Sequence, residues 1–455
     1  MRRRDGPSGC LPALVVVPLR AARRVTGRAP TRHEIGRGLA LRGRIWDGIA
    51  DLAFNGVVVA GVDGRVAAVG PGDAVALPDG LQVIDCVWIG PGVTDAHVHL
   101  ATTATSGHDE MRAGLVAVRD LGSPVERLAH WRMAAPIVVA GAGPRVTGAV
   151  DPRPDLRTDL CTDRAGREVF AREPVGRGLG VRSWTYRSSL RRGTASRTAS
   201  GIYAPGRNAA GRNTQDWDAL DGEAVAVVDS PAAARRLVAS LVADGVDLIK
   251  VCVEGVDGTE GGVSSGRAPL HQSDLGAVVD AAHAAGLAVT AHALTVRAVE
   301  MALRAGVDEL AHVPLEPLPE EVVERIAAAG VAVVSTLQCH AGVGPAPARN
   351  AALLHRAGVP LIYGTDAGGA SSRPPGVDPR ELDRLAYAGL GRLGALRAAT
   401  SGAARAAGFD GQRPSGRIEV GAFAALVGLP ADPLVEPAAW RHPTVVVNGH
   451  RLIGA

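Results

Sequence analysis

The chain has 455 residues, of which 46% are hydrophobic but only 3% aromatic, and this predicts a soluble α/β enzyme whose core is built from alanine, valine and leucine. Its five cysteines are scattered and form no Cys-x-x-Cys pair, which argues against a disulfide framework or a zinc ribbon and favours a reducing cytoplasm. No stretch approaches the roughly 18 apolar residues of a membrane span, so no membrane partner is expected.

The formal net charge of +3 conceals two basic segments. Residues 1–44 contain 11 arginines against 2 acids and residues 145–212 contain 14 against 6, so together they carry +17 and leave about −14 on the remainder. Neither segment has interleaved aromatics or a recognisable binding module, so nucleic acid is not an expected partner. Residues 1–38 are predicted to be a disordered basic extension.

In chain order, the first regular pattern is a set of short strands within residues 39–90. Asp63 and Gly64 lie between two apolar runs, which is a good hairpin signal. Strand patterns return at Ala425–Gly428 and Thr444–Gly449. Residues 39–90 and 415–455 are therefore predicted to form a small composite β-sandwich domain.

The long middle of the chain, residues 91–414, alternates strand-like runs with helices rich in alanine, leucine and arginine. Eight such strands with helices between most of them predict an α/β fold of the (β/α)8 TIM barrel type. The predicted strands are Gly92–His97, Leu115–Val118, Ile137–Ala140, Val246–Val251, Ala288–Ala291, Glu309–His312, Ala332–Ser335 and Leu361–Tyr363.

An irregular segment, residues 145–223, interrupts this alternation and contains no strand that its pattern defines. It is too long for an ordinary connection in a compact barrel. Three interpretations stay open: a flexible lid, a disordered insertion, or a stretch whose translation does not represent a folding sequence. The second and third are favoured, because a lid needs some apolar anchoring.

The cation at the end of the fourth predicted strand is unusual, because Lys250 is the single lysine of a chain that otherwise uses arginine. An ammonium group is costly to bury, so a lysine in this apolar run suggests a chemical need for an amine. An unprotonated amine can add carbon dioxide and form a carbamate that bridges two metal ions. The alternative is that the side chain of Lys250 extends from the strand end to solvent.

Imidazole and carboxylate groups follow several other predicted strands. His97 and His99 lie on the same side of the first strand because strand side chains alternate, and two imidazoles on one face can bind one metal ion. His292, His312 and Asp366 follow strands five, six and eight. Barrel enzymes place their catalytic residues at these strand ends, so a metal site is predicted there. The histidines on helices and late loops, His283, His355 and His442, are expected to be structural or surface residues.

With these motifs in this order, the chain resembles the metal-dependent amidohydrolase superfamily, and within it the imidazolonepropionase-like group that includes Xaa-Pro dipeptidase-type enzymes. The resemblance covers residues 40–145 and 223–455. The segments that carry it are Pro91–Leu100, Gly114–Gly122, Asp247–Val251, Gly261–Ser264, Ala282–His292, Gly364–Gly368 and Ala395–Thr400.

The resemblance implies a hydrolase with two divalent metal ions, with zinc as the expected ion. His97, His99 and Asp366 would hold one ion, and a second would lie on His292 and His312. Lys250, carboxylated by carbon dioxide, would bridge the two. Asp366 would also act as general acid and base during hydrolysis of an amide or related C–N bond in a small molecule of the dipeptide or N-acyl amino acid type.

Two departures from the group keep other interpretations open. The Gly-Gly-His segment that usually follows strand three is absent, and the usual Pro-His-Gly after strand eight is Pro374-Pro375-Gly376 here. One alternative is a mononuclear hydrolase that acts on a cyclic amide or imidazolone. Another is a catalytically impaired relative that binds metal without turnover. A homo-oligomer also stays open, because one sequence locates no apolar patch.

Overall fold

A computed structural model of the chain describes residues 33–34, 38–101, 107–135, 137–148, 161–162, 168–169, 217–220, 223–254, 270–368, 374–409 and 412–454. Nearly all of the predicted basic extension, and most of the irregular segment with its three interpretations, lie outside these described residues. Within them, no helix is long and apolar enough to cross a membrane.

The regular elements include the predicted strands and helices, and also short strands between Arg145 and Val228 that the sequence patterns did not predict. The strands are β1 His33–Glu34, β2 Leu39–Ile45, β3 Phe54–Ala60, β4 Val66–Pro71, β5 Gln82–Pro91, β6 Val93–Val98, β7 Leu115–Asp120, β8 Val138–Gly141, β9 Arg145–Gly148, β10 Cys161–Thr162, β11 Glu168–Val169, β12 Trp217–Leu220, β13 Glu223–Val228, β14 Ile249–Cys252, β15 Val289–His292, β16 Glu309–Leu310, β17 Ala332–Val334, β18 Leu361–Ile362, β19 Ala425–Leu429, β20 Val445–Asn448 and β21 Arg451–Gly454. The α-helices are α1 Gly107–Arg112, α2 Val125–Ala134, α3 Pro231–Ala243, α4 Gln272–Ala284, α5 Val296–Ala305, α6 Glu320–Ala328, α7 Ala346–Arg356, α8 Pro379–Leu385, α9 Gly391–Arg397 and α10 Ala403–Ala406. The described residues also contain two π-helical turns, Ala386–Leu390 and Ala398–Gly402, and one 3-10 turn, Pro437–Arg441.

Parallel strands close into the predicted barrel. Strands β6, β7 and β8 pair in parallel, and β9, β14, β15, β16, β17 and β18 form a second parallel series. The last strand meets the first: the Ala96 N–H donates to the Tyr363 carbonyl at 3.2 Å, and the Asp366 N–H donates to the His97 carbonyl at 2.8 Å. The prediction of a TIM barrel with an additional terminal domain is confirmed.

The third barrel strand is divided into two pieces, which the sequence pattern did not predict. β8 pairs with β7, whereas β9 pairs with β13 and, through Val146 and Val251, with β14. The expectation that residues 145–223 contain no definable strand is therefore wrong for the described parts of this segment, which contain β9, β10, β11 and β12. The four residues of β9 follow Gly143 and Pro144, so they are too few to show a period, and pairing with their neighbours decides their structure.

Helix caps in the barrel follow the sequence closely. The Ser230 side chain accepts a hydrogen bond from the Ala233 N–H, and Pro231 occupies the first position of α3, as predicted. α5 begins in the same way at Thr295 and ends at Gly306, whose φ of 80° suits a residue without a Cβ atom. These caps fix where each helix turns back toward the next strand.

The terminal segments form one eight-stranded sheet with the order β1-β21-β20-β19-β5-β2-β3-β4. β2 pairs in parallel with β5, and β5 pairs antiparallel with β19, so the two ends of the chain are joined in the sheet. Val58 on β3 and Leu452 on β21 belong to the same buried cluster although they lie on distant strands. The sheet therefore curls over one core, as a composite sandwich requires.

Three tryptophans pack where the terminal sheet meets the barrel. The rings of Trp46 and Trp88 stack with centroids 6.0 Å apart, and Trp440 meets Trp88 edge to face at 6.1 Å. All three are buried in the cluster that also contains the barrel core. Since β5 passes through Gly92 directly into β6, this packing helps to fix the strand that carries His97.

A buried ion pair lies inside the barrel. The Arg119 guanidinium on β7 donates to both carboxylate oxygens of Glu309 on β16, at 2.5 and 3.2 Å. It also donates to the Ala96 carbonyl at 2.7 Å, and Thr290 donates to Glu309 at 2.7 Å. The Arg119–Glu309 pair and its partners thus connect the four barrel strands β6, β7, β15 and β16 through buried hydrogen bonds.

Replacing Glu309 with alanine is expected to lower the free energy of unfolding by about 3–5 kcal/mol, because the Arg119 guanidinium would stay buried without its counter-ion. Glu300 is the matched control: it is a surface acid that pairs with Arg304 and Arg325 at 3.7 and 3.4 Å. Glu300→Ala is expected to cost less than about 1 kcal/mol. Urea unfolding measures both costs, and equal values would contradict a special contribution from the buried pair.

Candidate metal centre

The structure places the six predicted ligands around one end of the barrel. His97 lies on β6, Lys250 on β14 and His292 at the end of β15, while His99, His312 and Asp366 follow their strands. His292 is partly buried, and the other five residues are buried. The four histidines and Asp366 lie close together in space, as the distances below show.

Three of these side chains form the tightest group. One ligand atom each from His97, His312 and Asp366 lie within 4.8 Å of one another. His99 adjoins them, with its Nε2 atom 3.2 Å from Nε2 of His97. The Asp366 Oδ1 atom lies 3.2 Å from Nε2 of His97 and 3.0 Å from Nε2 of His99.

A second pair of imidazoles extends the group. The Nδ1 atom of His292 lies 3.1 Å from Nε2 of His312. The His312 ring is also 4.7 Å from the His97 ring, centroid to centroid. His312 therefore links the pair that contains His97 and His99 to the side of the barrel that carries His292.

Lys250 lies deeper in the barrel than the imidazoles. In the pairing of β14 with β15, Lys250 is opposite Thr290, and Cys252 is opposite His292. Lys250 therefore lies two residues closer to the N-terminal end of β14 than Cys252, the residue opposite His292. Burial lowers the pKa of Lys250 to about 8, which leaves a substantial fraction of its amine unprotonated near neutral pH.

Burial also makes these imidazoles poor proton acceptors. It lowers the pKa of His292 to about 3 and holds the pKa values of His97 and His312 well below the usual range. For Asp366, burial acts in the opposite direction, but the surrounding histidines hold its pKa well below the usual range. The lowered pKa values favour neutral imidazoles, which is the form in which histidine binds a metal ion.

The hydrogen bonds of the imidazoles show that a cation fits among them. Nδ1 of His97 lies 2.9 Å from the Ala311 carbonyl, so in the neutral ring it carries the proton and leaves a lone pair on Nε2. Nε2 of His97 lies next to Nε2 of His99 and Oδ1 of Asp366, and neither of these two atoms needs to carry a proton. A divalent cation would be coordinated by these acceptor atoms and would remove the repulsion between them. Imidazole nitrogen and carboxylate oxygen are ligands that suit zinc.

Backbone geometry and neighbouring groups hold the carboxylate ligand in place. Asp366 has a φ of 55°, a left-handed conformation that is unfavourable for a residue with a side chain. The carboxylate of Asp95 stabilises this turn by accepting hydrogen bonds from the Thr365 N–H at 3.0 Å and from the Thr365 hydroxyl at 2.5 Å. It also accepts from the His97 N–H at 3.2 Å, so one buried carboxylate fixes the backbone at His97 and at the residue before Asp366.

The loop after β17, residues 336–340, contributes contacts that the sequence analysis missed. Thr336 has a φ of 43°, and its hydroxyl lies 3.0 Å from Nδ1 of His312. The Cys339 thiol lies 3.6 Å from Oδ2 of Asp366, and the His340 ring lies 5.4 Å from the His312 ring. The only sequence signal for these residues was their position directly after a barrel strand.

Glu381 on α8 holds this loop in place from behind. Its fully buried carboxylate accepts hydrogen bonds from the Leu337 N–H at 3.0 Å and the Gln338 N–H at 2.5 Å. Arg384 adds a bond to the Gln338 side chain at 2.8 Å. Burial raises the pKa of Glu381 to about 7, although the hydrogen bonds that it accepts oppose the shift.

The pKa of Glu381 predicts a pH-dependent stability. Because the folded pKa lies above the ordinary value of 4.5, the contribution of Glu381 is fully present below pH 4.5 and is lost as the pH rises through about 7. Between these limits the wild type should lose about 3 kcal/mol of unfolding free energy relative to Glu381→Gln, which does not titrate. Urea unfolding at several pH values measures this difference. Glu324→Gln, at an exposed position on α6, should show no such trend, and a constant difference for Glu381→Gln would contradict the raised pKa.

Comparison with known sequences gives one family match and several relatives. A model of the amidohydrolase family matches residues 175–450, which is more than half of the chain. An uncharacterized protein of Mycobacterium tuberculosis is 26% identical over 424 residues, covering 86% of this chain and 91% of the relative. An uncharacterized protein of Mycobacterium bovis matches to the same extent.

Solved structures with the same fold cover nearly the whole chain. A Xaa-Pro dipeptidase with bound methionine is similar with a TM-score of 0.65 at 18% identity, over 92% of this chain and 100% of the other. A prolidase complexed with N-methylphosphonate-L-proline has a TM-score of 0.66 at 22% identity, over 92% and 99%. The ochratoxinase of A. niger has a TM-score of 0.65 at 18% identity, over 92% and 96%. At these identities the similarity concerns the fold.

Proposed function

Since the chain belongs to the amidohydrolase family and is thus a hydrolase of carbon–nitrogen bonds in small molecules, we propose that it cleaves an amide at a two-zinc centre. The proposed substrate is a dipeptide or an N-acyl amino acid. The observation that carries the proposal is the buried convergence of His97, Asp366 and His312, with a further imidazole in contact at each side.

Under this proposal the ligands divide as their contacts suggest. His97, His99 and Asp366 would hold one ion, because Asp366 lies within 3.2 Å of both imidazoles. His292 and His312, whose nitrogens are 3.1 Å apart, would hold the second. Lys250, as a carbamate, would supply a ligand to both ions. Formation of the carbamate joins the lysine nitrogen to carbon dioxide with release of a proton, and a pKa of about 8 makes the unprotonated amine available.

The chemistry then depends on proton transfer by Asp366. Two bound divalent ions would supply an activated nucleophile near neutral pH and would polarise the substrate carbonyl. Asp366 takes a proton from the attacking water and delivers it to the leaving nitrogen, so the amine departs uncharged. The pKa of Asp366 is held well below its usual range, so its carboxylate is ionised, which is the form that can accept a proton.

The substrate class is supported by what the structural relatives bind. The dipeptidase contains methionine in its active site, and the prolidase contains a phosphonate analogue joined to proline. Both ligands are built on an amino acid with a free carboxylate. A screen of dipeptides and N-acyl amino acids is therefore the natural first assay for this chain.

A mononuclear centre is the second candidate, and one observation favours it. The group of His97, His312 and Asp366 can by itself surround one ion. Such a site would suit hydrolysis of a cyclic amide or imidazolone. The altered segment Pro374-Pro375-Gly376 leaves a catalytically impaired relative as a third alternative.

Metal content and turnover together test these alternatives. Protein expressed with bicarbonate would be analysed for metal per chain and assayed for amine release from the substrate panel. About two divalent ions with turnover would support the two-zinc hydrolase, and about one ion with turnover of cyclic amides would support the mononuclear enzyme. Bound metal without turnover of any panel member would support the impaired relative.

A further inference from the structure

His340 is a buried imidazole beside the candidate centre that none of the proposed steps uses. Its side chain belongs to a residue that is only 8% exposed. Its Nδ1 atom lies 3.0 Å from the Thr336 carbonyl, so Nδ1 carries the proton in the neutral ring and donates to that oxygen. Nε2 then has a lone pair, and none of the residues that the structure describes hydrogen-bonds to it.

The packing of His340 places this lone pair beside the candidate centre. Its ring packs edge to face on His312, with centroids 5.4 Å apart and an interplanar angle of 90°. It is also near enough to His292 to contribute to the lowered pKa of that residue. The His340 ring therefore packs against the proposed ligand His312. His340 does not belong to the group of His97, His312 and Asp366, so its Nε2 atom can bind another partner.

The loop that carries His340 is held firmly at several points. Thr336 contacts His312, Cys339 contacts Asp366, and the Glu381 carboxylate binds the two backbone N–H groups between them. An acceptor on such a loop has a fixed place relative to the reacting group. Preorganisation of this kind lets one hydrogen bond discriminate between ligands.

We propose that His340 is a substrate-binding residue whose Nε2 atom accepts a hydrogen bond from the N–H group of the amide that is cleaved. The inference rests on the proposed function and narrows its substrate class. An unprotonated nitrogen can only accept, so it favours secondary amides, which have an N–H donor. It disfavours tertiary amides, such as Xaa-Pro bonds, which would leave Nε2 buried without a partner.

The test compares N-acetyl-L-methionine with N-acetyl-N-methyl-L-methionine, which differ in the amide N–H. The proteins are the full-length wild type, His340→Phe, His340→Gln and the matched control His442→Phe at an exposed position. The kcat/KM is measured for both compounds, and if the wild type turns over neither, their Kd values are measured by calorimetry instead.

We expect the wild type and His442→Phe to favour the N–H compound by about 10- to 100-fold. His340→Phe should lose this preference because its kcat/KM falls for the N–H compound and not for the N-methyl compound. If the preference of the wild type came only from steric exclusion of the methyl group, it would persist in His340→Phe. His340→Gln keeps a side-chain oxygen as acceptor and should retain part of the preference, which also covers the case in which the phenylalanine variant does not fold.

Each other outcome has a definite meaning. An unchanged preference in His340→Phe, or no preference in the wild type, would overturn the role of His340. A preference in binding without turnover would count against the proposed function and leave the role of His340 intact. Failure of the wild type to bind either compound would overturn both for this substrate class.

Discussion

Asp366→Asn is expected to lower kcat by about 10²- to 10⁴-fold, the range typical of a lost general acid or base. The amide has nearly the shape of the carboxylate but cannot accept the proton of the attacking water. It also removes the negative charge that lies within 3.2 Å of both His97 and His99. Turnover of the best panel substrate, measured with metal content on the same samples, checks this expectation.

Asp308→Asn is the matched control for this variant. Asp308 is an exposed carboxylate 2.9 Å from His283, so it offers the same type of pair away from the centre. It should leave kcat unchanged within about twofold, since surface substitutions rarely have larger effects. An Asp366→Asn protein that keeps its metal and more than about a tenth of wild-type turnover would show that another group moves the proton.

Lys250→Ala is expected to reduce both metal content and turnover, the latter by about 10- to 100-fold, because loss of a metal's supporting groups has effects of this size. A short carboxylic acid such as acetate or propionate should restore part of both. The reason is steric as well as chemical: removal of a fully buried side chain leaves space in which a small carboxylate can replace the carbamate. Elemental analysis and an assay with increasing acetate measure the two effects.

Lys250→Met separates the loss of the carbamate from the loss of volume. Methionine has a similar length and fills the space, so it should lower metal content as alanine does but should not respond to acetate. Full metal occupancy and turnover in Lys250→Ala would exclude the bridging role. Acetate rescue of both variants alike would indicate an effect of the salt away from the site.

Alternation along a strand and the topology of barrels predicted much of the candidate centre from the sequence. Alternation places His97 and His99 on one face, and their nitrogens are 3.2 Å apart. Parallel strands end at one rim of a barrel, which brings His292, His312 and Asp366 together although 73 residues lie between the first and the last. The amidohydrolase resemblance inferred from these motifs is confirmed by the family match.

Features that depend on register and loop conformation could not be predicted in this way. The depth of Lys250 follows from its pairing with Thr290, and no sequence period specifies that register. The contacts of Thr336 and His340 depend on a left-handed residue in a loop with no repeating pattern. The same limit applies to β9, whose four residues acquire strand structure from their neighbours.

The sheet that joins both ends of the chain has a consequence for biosynthesis. β5 leaves the ribosome early, but its partner β19 begins at Ala425, when almost the whole barrel has already been made. Until then β5 has an unpaired edge, and Trp88 lacks Trp440 as a packing partner. A nascent chain that stalls before β19 would therefore expose the unpaired edge of β5, which can pair with other chains. β5 continues into β6, the strand that bears His97. Completion of the terminal sheet and final ordering of the strand that bears His97 should then occur as one late event.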